Sequence, residues 1–531
     1  MLEKIISTKY GKLSGVEEKG VMLFKGVPYA APPVGELRWK PPVDPQPWEG
    51  VRTCDTYAPR AMQPTIEGFS FEPYATDFYY MGNPESSEDC LYLNIATCAE
   101  SADEKRPVYM WFHGGGLSSG YSYEVEFDPT VLAKKGVIVV TVGQRLNVFG
   151  YLVLPQLSKE QGGISGNYGL KDEVKALEWV YENIAAFGGD PENITIGGLS
   201  GGTWKTGALA TCPAAHDKVK RVINQSSLCW NEQYAPLSKG EEVGVKFIEY
   251  LGFNKDVSLE ELRAADASVF NVSVDPFSGA VEVPGSMYYD GVWIPEADMT
   301  ISMDKYASHC DYLAGGNFGE SNMSRGFMFG AKPFETAGEF YSAAKELIGE
   351  KLYNKYDFEK LFPTSDAEAN RFSRRLAAEG LTGFAGQMKN RVFGAYRAKK
   401  FPNSKTFSYI FSHITPARPE DVGTARDPEA LLAWHSSELW YTFASLRENV
   451  PPCRPWTEVD FRLAEQMSSY WANFIKTGDP NGEGLPYWPA SDESFGWMDL
   501  ADEPIAHQGM EGEKDALILE FTEQDPELPK V

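Results

Sequence analysis

The chain has 531 residues, 43% of them hydrophobic, enough for a large buried core. With 75 acidic against 49 basic residues its net charge is −26, a field that repels phosphate backbones and anionic membrane surfaces and excludes nucleic acid and membrane as natural partners. No stretch approaches the roughly 18 uncharged apolar residues of a membrane helix, the opening MLEKIISTKYGKLSG has no signal-peptide pattern, and the seven cysteines form no C-x-x-C pair, so the expectation is a cytoplasmic protein with reduced thiols and no zinc site.

In chain order, the first strong element is PVYMWF at 107–112, an apolar run that ends in His113-Gly114-Gly115-Gly116. VIVVTV at 137–142, NITIGG at 193–198, VINQSS at 222–227 and FSYIFS at 407–412 follow. Short apolar runs bounded by turns predict buried parallel strands. Between them KDEVKALEWVYENIAAFG at 171–188 reads as a helix, with Val174, Leu177, Trp179, Val180 and Ile184 at helical spacing and Gly188-Gly189 as the stop. Alternating strands and helices predict an α/β fold with a large, mostly parallel central sheet flanked by helices. No repeat or linker divides the chain. Residues 1–531 are therefore expected to form a single domain, with a helical insertion at about 325–430 over one end of the sheet.

The pattern G-x-S-x-G occurs twice, at Gly116–Gly120 around Ser118 and at Gly198–Gly202 around Ser200. A nucleophile on a sharp turn needs a strand before it and a helix after it. NITI precedes Ser200 and TWKTGALATC can continue as a helix, whose N-terminus favours developing negative charge. Ser118 is followed by GYSYEVEFDP, which is no helix. The HGGG run has a better use, because glycines let backbone N–H groups approach a carbonyl oxygen closely. A serine nucleophile also needs a base, and there are six histidines: 113, 216, 309, 413, 435 and 507. The chain order serine, acid, histidine removes His113, and His216 is too close to Ser200 to return over the turn. Position alone leaves His413 and His435 open, and gives His309 and His507 no obvious role.

Several long motifs then stand in one order: GVPYAAPPVGELRWKPP at 26–42, SEDCLYLNI at 87–95, WFHGGG at 111–116, GNYGLKDEVKALEWVYENIAAFGGDPENITI at 166–196, AWHSSELWYTF at 433–443 and YWANFIKTGDPN at 470–481. In these the chain resembles the type-B carboxylesterases, the family of the cholinesterases and the para-nitrobenzyl esterases. The resemblance implies the α/β-hydrolase fold, with helical and loop insertions over the active site. It implies Ser200 as nucleophile, Glu320 as acid and His435 as base. It also implies oxyanion amides at Gly115, Gly116 and Gly201, and an acyl pocket around Leu228, Cys229 and Trp230, with Leu199 and Trp204 nearby.

The implied function is hydrolysis of small-molecule carboxylic esters, with apolar or aromatic groups, without metal or cofactor. Its rivals are a cholinesterase-like binding protein with weak or no activity and an acyltransferase. Against the family pattern, Leu199 replaces a glutamate, Gly201 an alanine, and Lys205 stands where small or aliphatic residues are common. Cys90 has no cysteine at the position where the family places its partner; Cys54 lies further upstream. The aromatic stretch GFSFEPYATDFYY at 68–80 is an expected gorge mouth or lid.

Overall fold

The computed structural model describes residues 4–65, 83–226, 228, 230, 232–274, 280–320, 334–369, 387–423, 427–428, 432–448, 454–510 and 512–525. The stretch 68–80, Cys229 and parts of the 325–430 segment lie outside them. The described residues fall into two compact units. One takes those up to Ile223 together with Glu232–Cys310; the other takes those within Asn224–Asn231 and from Asp311 onward.

In the first unit six strands form a sheet: β1 (Val16–Glu18), β2 (Val21–Pro28), β3 (Tyr92–Thr97), β4 (Arg106–Phe112), β5 (Ile138–Val142) and β6 (Gly189–Leu199). Their order is β6-β4-β5-β3-β2-β1. The pairs β6–β4 and β5–β4 are parallel, as the apolar runs predict. Val108 to Phe112 and Ile138 to Val140 have no exposed surface, which is why both runs are apolar without alternation. The pairs β5–β3, β2–β3 and β1–β2 are antiparallel; β1 to β3 were not among the predicted elements.

Helix α1 spans Tyr168–Asn183 and continues as a short 3-10 turn to Phe187, with Gly188 left-handed at its end. It departs from an amphipathic pattern, because Lys171, Asp172 and Glu173 are buried with the apolar residues. Asp172 tolerates this by binding the Arg145 guanidinium at 2.8 and 2.6 Å. Helix α2 (Gly201–Thr211) follows β6 directly.

Strand β7 (Arg221–Gln225) carries the chain out of the first unit. The second unit holds β8 (Asp311–Asn317), β9 (Thr406–Phe411), β10 (Trp497–Leu500) and β11 (Pro504–His507). The pairs β8–β9 and β9–β10 are parallel and β10–β11 is antiparallel. Between β8 and β9 the described residues are mainly helical, including Ala337–Ile348 and helix α3 (Gln387–Lys400). Helix α4 (Glu458–Thr477) is opened by a capping box of Thr457 and Asp460 and closed by left-handed Gly478.

Candidate active site

In the first unit, β6 ends at Leu199 and α2 begins at Gly201, so a single residue makes the turn. That residue, Ser200, has φ 55° and ψ −122°. A non-glycine residue there is strained by about 1–3 kcal/mol. Steric demands around it are severe. A Cβ on Gly198 would lie 2.4 Å from the Gly202 backbone, and one on Gly202 would lie 2.2 Å from the Phe112 carbonyl oxygen. The glycines therefore let α2 start hard against the ends of β4 and β6. A Cβ on Gly201 would lie 2.0 Å from the Gly116 carbonyl oxygen, which gives the glycine at this position a reason.

The HGGG turn lies alongside. A Cβ on Gly114 would come within 3.2 Å of the Leu199 carbonyl oxygen and 3.6 Å of the Ser200 Cβ. Its carbonyls are occupied: His113 O accepts from Lys205 Nζ at 2.9 Å, Gly114 O lies 2.8 Å from His113 Nδ1, and Gly115 O accepts from the Ser118 and Ser119 N–H groups. Among the described residues the N–H groups of Gly115 and Gly116 donate to no protein acceptor. Ser118 sits in the turn that follows, its own N–H donated to Gly115 O at 3.2 Å.

In the second unit, Phe318, Gly319 and Glu320 leave the end of β8. Phe318 N–H donates to Phe411 O at 2.8 Å and Gly319 N–H to Ala433 O at 2.6 Å, so the backbone of this loop is tied to β9 and to the segment that carries His435. Glu320 Oε1 accepts from the Asn317 N–H at 2.8 Å, and Oε2 faces His435 Nδ1 in a short contact. Burial pulls the His435 imidazole down, but the charge and hydrogen bond of Glu320, with the charge of Glu438, outweigh it and leave its pKa raised. Glu438 itself is fully buried. It accepts from Asn317 Nδ2 at 2.6 Å and from Ser226 Oγ at 3.1 Å. Burial, reinforced by the Glu320 charge, pushes its carboxyl up to about 7.

The structure thus brings Glu320 to His435 and Gly116 to Gly201; Ser200 belongs to the first unit and the Glu320–His435 pair to the second. It also separates the two histidines that position left open. His413 has Nδ1 2.6 Å from Asp502 and Nε2 2.9 Å from Asp460. Both of its ring nitrogens face carboxylates, so it has none left to serve a serine. His309 Nε2 lies 3.0 Å from Val219 O, and His507 stacks on Trp497 at 4.3 Å.

A family model described as "Carboxylesterase family" matches residues 2–518. The chain belongs to the carboxylesterase family. It is 32% identical to the fumonisin B1 esterase of Sphingopyxis macrogoltabida, over 91% of this chain and 83% of that one. It is 29% identical to a medium-chain fatty acyl-CoA hydrolase precursor of Anas platyrhynchos, over 98% and 92%. Among solved structures it resembles PNB esterase (28% identity, 97% and 99% coverage, TM-score 0.73) and the carboxylesterase of Geobacillus stearothermophilus (28%, 97% and 100%, TM-score 0.76). The fold is that of the α/β-hydrolases, and the chain is a carboxylic ester hydrolase.

The esterase's remaining expected site residues have diverse surroundings. Leu199 is 2% exposed, and a Cβ on Gly114 would lie 3.4 Å from its Cδ2, so an apolar side chain borders the glycine turn. Trp204 Nε1 donates to Glu232 at 3.1 Å. Leu228 is partly buried, and Trp230 is 1% exposed, packed between Phe393 and Tyr396 at 5.4 Å from each. Gln144 and Glu438 were not singled out in the sequence, and Lys205 was noted only as a departure from the family pattern. Glu438 lies three residues after His435. Cys54 and Cys90 are both buried free thiols. No helix among the described residues is long and apolar enough to cross a membrane.

Proposed function

We propose that Ser200 is the nucleophile, His435 its general base and Glu320 the carboxylate that orients that base, the whole chain acting as one hydrolase domain. The observation that carries this reading is the left-handed Ser200 between β6 and α2, flanked by glycines on which an added Cβ would lie 2.0–2.4 Å from backbone atoms. With Nδ1–H donated to Glu320, the imidazole lone pair lies on Nε2. Nε2 takes the Ser200 proton as Oγ attacks the ester carbonyl, and the negative charge that develops on oxygen meets the N–H groups of Gly115, Gly116 and Gly201. Collapse expels the alcohol, which leaves with the proton from His435. Water, deprotonated by the same imidazole, then attacks the acyl-enzyme and releases the acid.

Substrates with apolar or aromatic groups fit this site best. Leu199 stands where the family carries a glutamate, so an apolar side chain replaces a charge next to Ser200. The buried free thiols support a cytoplasmic location. Labelling with a fluorophosphonate tests the assignment: the parent reacts once, the label maps to Ser200, and Ser200→Ala loses about 10⁴-fold or more of kcat/KM. A label on Ser118, or an active Ser200→Ala, would overturn it. A series of para-nitrophenyl esters of rising chain length tests the pocket, with short polar acyl groups expected to be the poorest.

A further inference from the structure

Helix α2 carries a charge that the triad does not ask for. Lys205 is fully buried, five residues after Ser200, at a position where the family pattern favours small or aliphatic side chains. An apolar residue of similar volume would avoid the desolvation of an ammonium. Instead Nζ donates to His113 O at 2.9 Å. The amide of Gln144, oriented with its nitrogen donating to Val142 O at 2.9 Å, presents its oxygen to Nζ at 2.7 Å; this amide also lies 3.0 Å from His113 Nε2.

A peptide unit is planar and trans, so holding the carbonyl of one residue fixes the direction of the next residue's N–H. Two planes of the glycine turn are held this way. The Gly115 carbonyl is held by Ser118 and Ser119, which fixes the Gly116 N–H. The His113 carbonyl, at the start of the turn, is held by Lys205, which fixes the Gly114 N–H. The ammonium contacts His113 O and the Gln144 amide beyond β5, and the charges acting on it are those of Glu173 on α1 and Glu124 in the loop beyond the turn. Burial draws Lys205 down to about 8 against the opposing charges of Glu173 and Glu124, and burial pushes each of those carboxyls up to about 8.

We propose that Lys205 is a positioning residue for ester hydrolysis, pinning the His113–Gly114 peptide plane from which the glycine turn departs and so the placement of Gly115 and Gly116, whose N–H groups the turn offers to the oxyanion. This rests on the function proposed above. The test compares the full-length parent with Lys205→Met and Lys205→Gln, using para-nitrophenyl butyrate kinetics, melting temperature and fluorophosphonate labelling. Lys205→Met is expected to lose about 10–100-fold in kcat, with KM within about threefold, because the oxyanion contacts matter in the transition state. Lys205→Gln, whose amide can still donate to His113 O, recovers most of that loss. The parent's kcat declines above pH 8 as Lys205 loses its proton and a charge-assisted hydrogen bond weakens; the decline is absent in Lys205→Gln.

A Lys205→Met enzyme within twofold of the parent overturns the proposal, as does a kcat loss explained by the fraction unfolded. If Lys205→Met does not fold, the glutamine variant decides, since an unchanged alkaline decline in it also overturns the proposal. When the parent is labelled on Ser200 and the Lys205 variants behave as the parent does, only this inference fails. A label elsewhere removes the underlying reading itself.

Discussion

Around Ser200 a reactive side chain is held by backbone packing; around His435 it is held by side-chain hydrogen bonds. At the first, every neighbour is a glycine or a strand end, and added Cβ atoms would fall 2.0–2.4 Å from backbone atoms. At the second, Glu320, Asn317, Ser226 and Glu438 form a buried polar network whose members come from residues far apart in the chain. The packed turn allows almost no substitution but carries no charge. The network could accept many residues of similar shape, yet its protonation states set what the site can do. Mutations should therefore separate the two, one region failing by geometry and the other by charge.

The largest effect expected of the network is that of Glu320→Gln. The amide keeps the shape but can present N–H to the ring, which favours the wrong imidazole tautomer. The expected loss in kcat is about 10³–10⁴-fold, with folding intact by circular dichroism. A loss below tenfold would mean that Glu320 is not the orienting acid.

In the packed turn, Gly202→Ala tests geometry without altering charge. Its Cβ would lie 2.2 Å from Phe112 O, a backbone atom that cannot swing away. Overpacking of this kind typically costs about 1–3 kcal/mol, read as a lower melting temperature together with loss of fluorophosphonate labelling. Normal labelling and stability would show that α2 can move away from β4, and that the turn is less constrained than the network.

The same contrast explains what could be read in the sequence. Local steric demands write themselves as short motifs: G-L-S-G-G after a β-branched run located the strained serine, and HGGG located the neighbouring turn. The strands PVYMWF, VIVVTV and FSYIFS were legible because burial on both faces leaves an uninterrupted apolar run. Networks assembled over long sequence separations leave no such trace. Glu320 and His435 stand 115 positions apart, and the resemblance, not spacing, joined them. Lys205 had no account until His113 O and Gln144 were seen to face it. Strands β1 to β3 were missed because YLNIAT and VMLFKGVP interleave polar, glycine and proline residues with apolar ones, which the template of uninterrupted apolar runs does not capture.

The finest test lies inside the network. His435 must be neutral to accept the serine proton, so kcat/KM falls as pH drops through its raised pKa. Glu438 contributes to that elevation, and its own carboxyl titrates at about 7. The two titrations overlap: as pH falls and Glu438 takes up a proton, its support for the imidazolium fades, broadening the acid limb. Glu438→Gln removes the charge while leaving an oxygen to accept from Asn317 or Ser226. Its acid limb should move to lower pH and sharpen toward a single-group curve, with kcat on the alkaline side of the limb within about twofold of the parent. A limb that stays in place, or moves to higher pH, would show that Glu438 acts by shape alone. The network would then resemble the glycine turn more closely than its chemistry implies.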